Sequence, residues 1–115
     1  MRVLVLAKEG EQSDAATPPT PEAMAEHQKF NEELVKAGVV VAAGRLAPRG
    51  EGKRVRFDGK KRTVIDGPFA EAKELVAGYW LWQVRSMDEA IEWLKRAPYD
   101  GGIFEIRQVS MHEGA

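Results

Sequence analysis

Cysteine is absent from all 115 residues. That absence removes disulfides, thiolate nucleophiles and Cys-ligated zinc or iron–sulfur centres together. Histidine is nearly as scarce, with His27 and His112 alone and no H-x-x-x-H or H-x-x-E cluster, so no metal centre is expected. Gly-x-Ser-x-Gly is missing, and Gly50-Glu51-Gly52-Lys53 has neither the spacing nor the following helix of a phosphate-binding loop. No cofactor is expected. Neither sign of charge dominates: 17 basic and 18 acidic residues nearly cancel and are interleaved, so no whole-molecule field draws in a polyanion and nucleic acid is not an expected partner. The longest apolar run, near Gly38 to Gly44, falls far short of a membrane span, and Met1 to Leu6 is too soon broken by Lys8 and Glu9 to be a signal peptide. The expected protein is cytoplasmic, with no membrane partner.

What is present suits one folded domain, spanning residues 1–115. Hydrophobic residues make up 43% and charged residues 30%, well away from the composition at which chains stay disordered. Residues 2 to 8 are β-rich and apolar at nearly every position, as in a strand covered on both faces. Gly10 to Pro19 collects turn formers and reads as a loop. Thr20 then caps a helix with Pro21 at its first position, running to about Ala37 with Gly38 as its stop. On a helical wheel Met24, Leu34 and Val35 share one side with Phe30 at its edge, and His27 and Asn31 fall inside the same apolar arc. Two polar residues on an apolar face are the sharpest local conflict in the chain.

Val39 to Leu46 reads as a second strand, and Pro48 to Gly52 as a turn. Arg54 to Phe57 and Arg62 to Ile65 flank Asp58-Gly59, a dipeptide that favours a tight hairpin. After the turn at Asp66 comes a charged segment open to helix, Ala70 to Leu75. Gly78 to Arg85, with Tyr79, Trp80, Leu81, Trp82 and Val84, reads as the strongest strand. Ser86-Met87-Asp88-Glu89 matches a capping box, Ala90, Ile91, Leu94 and Ala97 form one face of the helix that follows, and Pro98 ends it. Ile103 to Val109 reads as the last strand. The order is an α+β, ferredoxin-like βαββαβ plan with an inserted β-hairpin. Two helices cover only one face of such a sheet, yet its strands are apolar on both. A homodimer packed through its sheet faces, a dimeric α+β barrel, is therefore the expected assembly.

The segment Thr63-Val64-Ile65-Asp66-Gly67-Pro68-Phe69-Ala70-Glu71-Ala72-Lys73-Glu74, with Gly78-Tyr79 after it and Glu105-Ile106-Arg107 in the last strand, resembles the DGPF branch of the YCII-related family over almost the whole chain. The resemblance implies the same dimeric ferredoxin-like barrel and no agreed activity. Ala72 stands where relatives often carry Thr. In the YciI-like branch a histidine on the first helix is proposed to pair with an aspartate in a short Asp-Pro-aromatic segment after the second helix. His27 matches that histidine by its spacing to Gly44, but Ala97-Pro98-Tyr99 lacks the acid.

His27 is the leading candidate for acid/base chemistry; its bland alternative is a core or interface histidine satisfied by a backbone carbonyl or by Asn31. Asp66 is the candidate carboxylate to orient it, against an ordinary role as first residue of a turn. Asn31, Phe69 and Lys73 complete the candidate ligand-binding set, Phe69 doubling as a turn anchor and Lys73 as part of a solvated charged face. Arg45, Arg107 and Tyr99 are further polar groups without a motif. Two functions compete: a cofactor-independent enzyme in which His27 moves a proton on a small metabolite, and a non-catalytic small-molecule-binding or regulatory partner domain, since some relatives are encoded beside or fused to sigma-factor-like regulators.

Overall fold

The structure, a computed structural model, describes residues 1–9, 20–47, 49–67 and 75–110. Its elements run β1 (Arg2–Glu9), α1 (Pro21–Lys36), β2 (Val40–Arg45), a 3₁₀ turn (Arg49–Glu51), β3 (Lys53–Asp58), β4 (Lys61–Asp66), β5 (Leu75–Gln83), α2 (Met87–Lys95) and β6 (Ile103–Val109). Four strands form an antiparallel sheet in the order β2-β5-β1-β6, and β3 and β4 pair as a separate hairpin. This α+β arrangement is compatible with a ferredoxin-like fold. No helix among the described residues is long and apolar enough to cross a membrane.

Capping chemistry sets where both helices begin. The Thr20 side chain accepts a hydrogen bond from the Ala23 amide at 3.1 Å and Pro21 opens α1, while Ser86 Oγ accepts from the Glu89 amide at 3.1 Å. Glu89 reaches back to the amide of Arg85, at 3.2 Å, one residue earlier than the standard reciprocal box would place it. α2 ends at Lys95, before the expected Pro98, and Ala97 still packs against the core from beyond the helix. β5 begins at Leu75, three residues ahead of the expected Gly78, because Leu75 and Val76 pair with Glu9 and Lys8 across the sheet. Residues 70–74 of the charged segment lie outside the described residues.

The core is Val3, Val5, Phe30, Leu34, Val39, Trp80, Trp82, Val84 and Ala90. Strand alternation puts Val3, Val5, Trp80 and Trp82 on the side that carries α1 and α2, and Leu4, Leu6, Tyr79 and Leu81 on the other. On that second side Gly44 is paired with Tyr79, and a Cβ on Gly44 would come within 2.7 Å of the Tyr79 ring; the missing side chain is what lets the ring lie down there. The face of α1 differs from the wheel. Met24 and Val35 are exposed, and the residues turned toward the sheet are His27, Phe30, Asn31 and Leu34, an i, i+3, i+4, i+7 stripe.

Candidate functional site

The polar half of that stripe meets the aromatic half of β5. His27 stacks on Trp80, ring centroids 6.0 Å apart at 21°, and Asn31 Oδ1 accepts a hydrogen bond from Trp80 Nε1 at 3.2 Å. Asn31 is thus committed to holding the indole, one turn from the histidine. On the other side of the imidazole, Tyr99 Oη and His27 Nδ1 share a hydrogen bond of 2.7 Å, with the phenol edge-on to the imidazole. Tyr99 leans on Phe104 at 4.8 Å, and Phe104 in turn faces Trp80 at 6.3 Å. Four aromatic rings from α1, β5, β6 and the α2–β6 connection therefore close on one another. A groove of about 520 Å³ between α2 and β6 shares Tyr99 and Phe104 with this cluster.

The electrostatics follow from partial burial. Desolvation, with the positive charge of Arg45 as a second cause, lowers the His27 pKa below its ordinary 6.5, and burial raises that of Tyr99. Both groups are neutral at pH 7. One of the two donates in the hydrogen bond, and which one fixes the imidazole tautomer. The second ring nitrogen, Nε2, has no protein partner among the described residues. The arrangement is a neutral imidazole fixed through one nitrogen and open at the other.

A depressed histidine pKa is also a stability statement. Below pH 6.5 the unfolded chain takes up a proton that the folded ring resists, so stability is full above 6.5 and falls as pH drops through the folded value. Urea unfolding at pH 7.5 and at pH 5 checks this: the loss on acidification is expected to be smaller in His27→Gln than in the parent. An equal loss in both would mean that His27 titrates normally.

The other expected residues fall as follows. Asp66 pairs with Lys53 across the β3–β4 hairpin at 2.6 Å, both side chains exposed, and the Gly67 amide donates to Gly52 O at 2.8 Å, closing the hairpin base. The partner the structure gives Asp66 is Lys53, and the partner it gives His27 is Tyr99. Phe69 and Lys73 lie outside the described residues. Arg107 binds Glu105 on its own strand at 3.0 Å. Tyr99, a polar group without a motif in the sequence, is the residue that contacts His27 from 72 positions away; its one sequence signal is its place after Ala97-Pro98, in the segment that carries an acid in the YciI-like branch.

A YCII-related domain model matches residues 1–112. An uncharacterised protein of Rhizobium meliloti (strain 1021) is 32% identical over 84 residues, which are 70% of this chain and 68% of that protein.

Proposed function

We propose that this chain, which belongs to the YCII-related family, is a cofactor-independent enzyme acting on a small metabolite, with His27 as its general acid–base and Tyr99 as the group that orients it. Placement in the branch that carries Asp66-Gly67-Pro68-Phe69 is part of the same proposal. The observation that carries it is the 2.7 Å contact between Tyr99 Oη and His27 Nδ1, which leaves Nε2 to a ligand. When Nδ1 donates to the phenol oxygen, Nε2 presents a lone pair and takes a proton; when the phenol donates to Nδ1, Nε2 carries the hydrogen and gives it. A lowered pKa keeps the imidazole neutral and ready as a base at neutral pH. Removing a proton from one atom of a small substrate and returning it to another, as an isomerase does, is balanced at His27 Nε2 alone, with Tyr99 holding the ring.

Kinetics separate this from a binding domain. Once a ligand is identified by thermal shift, His27→Gln is expected to retain binding within a few-fold while turnover is lost. Turnover undiminished in the variant would remove His27 from the chemistry.

The homodimer belongs to the proposal as well. Leu4, Leu6, Tyr79 and Leu81 sit on the sheet face opposite the helices, and Val55, Phe57 and Val64 are exposed on one face of the β3–β4 hairpin. A two-stranded hairpin is marginal alone, and a second copy supplies both surfaces with cover. Light scattering at micromolar concentration is expected to give twice the monomer mass for the parent and the monomer mass for Leu81→Lys. A monomeric parent would exclude the barrel.

A further inference from the structure

The helix-facing side of the sheet loses its bulk beyond Trp80. Register aligns three rows across the strands β2, β5, β1 and β6: Val40, Trp82, Val3 and Gln108; then Ala43, Trp80, Val5 and Ile106; then Arg45, Gly78, Ala7 and Phe104. Trp82, Val3 and Val5 are fully buried and Trp80 nearly so, but Gly78, Ala7 and Phe104 are only half-buried. Among the described residues, the atoms within 4 Å of where a Gly78 Cβ would stand are backbone atoms of Gly44 and Arg45. The third row is therefore a dip: two strands of glycine and alanine, walled by Phe104 on one side and Arg45 on the other. Trp80, with His27 stacked on it, forms the end wall. Three strand spacings separate the outer strands, roughly 14 Å between backbones, which accommodates one small ring and a substituent.

The wall facing Phe104 is a cation. Arg45 has no hydrogen bond or ion pair among the described residues, although the chain carries 18 acidic residues and ties other arginines into pairs, Arg85 to Glu89, Arg96 to Glu33 and Arg107 to Glu105. Its charge is felt at His27, which agrees with its place one row from Trp80. A guanidinium presents a planar fork of donors suited to a carboxylate.

We propose that this dip binds a small planar carboxylic acid, its carboxylate on Arg45 and its ring on the Ala7–Gly78 floor between Phe104 and the His27–Trp80 wall. This assignment rests on the reading of His27 as the working group and adds the substrate class. Aromatic sides grip a flat molecule on its faces and edges, the floor admits it because Gly78 has no side chain and Ala7 only a methyl group, and the arginine selects the anion.

The test uses two probes of one shape, benzoate and benzamide, followed by the NMR signals of the Gly78 amide, the Trp80 indole N–H and the His27 ring in the intact protein. Benzoate is expected to shift all three in the millimolar range and to bind at least tenfold more tightly than benzamide. Arg45→Gln, a change at an exposed position, is expected to weaken benzoate about tenfold or more and leave benzamide unchanged, in line with the strength of charge-assisted hydrogen bonds. If both probes shift the three signals equally, in parent and variant alike, the anion assignment is overturned while the His27 site stands. If neither moves the Gly78 signal, the dip is not a binding site. If the His27 ring also stays unmoved by every compound that stabilises the protein, the reading of His27 fails with it.

Discussion

Replacing Trp82 by alanine is expected to cost about 3–5 kcal/mol of folding stability, the loss seen when a large aromatic is deleted from a packed core. Trp82 is fully buried, lies in the row between Val40 and Val3, and belongs to the core cluster that Phe30 and Leu34 of α1 and Ala90 of α2 share. Set against a total stability of about 5–15 kcal/mol for a domain, that single change takes up a large share of the whole. The companion change sharpens the claim. The Trp82 indole Nε1 is buried with no hydrogen-bond partner among the described residues, a desolvation penalty of about 1–3 kcal/mol, so Trp82→Phe forfeits ring volume but sheds an unsatisfied donor. Denaturant unfolding is expected to show Trp82→Phe losing less than half of what Trp82→Ala loses. Equal losses would mean that the indole N–H is satisfied in solution.

The second large effect concerns chemistry. With a substrate in hand, His27→Gln is expected to lower turnover by about 10²–10⁴-fold, the usual contribution of a positioned general acid–base. Tyr99→Phe keeps the ring that packs on Phe104 and removes only the hydroxyl that meets Nδ1. It is expected to lower turnover less, and to shift the acidic limb of the pH–rate profile, because the pKa of His27 depends on what its other nitrogen bonds to. A profile unmoved by Tyr99→Phe would reduce Tyr99 to packing. Asp66→Asn is the matching control: with its carboxylate on Lys53, it is expected to leave that profile unchanged.

Local rules carried the secondary structure a long way. Thr20-Pro21 and Ser86 mark helix starts through side-chain hydrogen bonds that form within three residues, and the last strand runs from Ile103 to Val109 as the sequence reads. The start of β5 was hidden because Ala77 and Gly78 are poor strand formers and their pairing with β1 is long-range. The conflict at His27 and Asn31 was visible on the wheel, but the face was centred on the wrong residues. A wheel counts hydrophobicity and gives Met24 and Val35 full weight, whereas packing against Trp80 turns the stripe toward the residues able to stack on it and bond its N–H. Tyr99 was out of reach for a physical reason: its approach to His27 depends on how α2 ends and on the Phe104 ring beneath it, and neither is written in a spacing. The sequence shows Asp66 only as a carboxylate at a strand end, and the antiparallel register that sets it opposite Lys53 is a property of the folded hairpin.

The central claim, that His27 works on a small molecule, is tested most directly by thermal-shift screening of the parent and of His27→Gln against one metabolite panel enriched in small planar acids. The account expects at least one such acid to raise the melting temperature of both proteins, and only the parent to convert it, as read by NMR of the same samples. Conversion at equal rates by both proteins, or a panel in which no compound stabilises the parent, would contradict it.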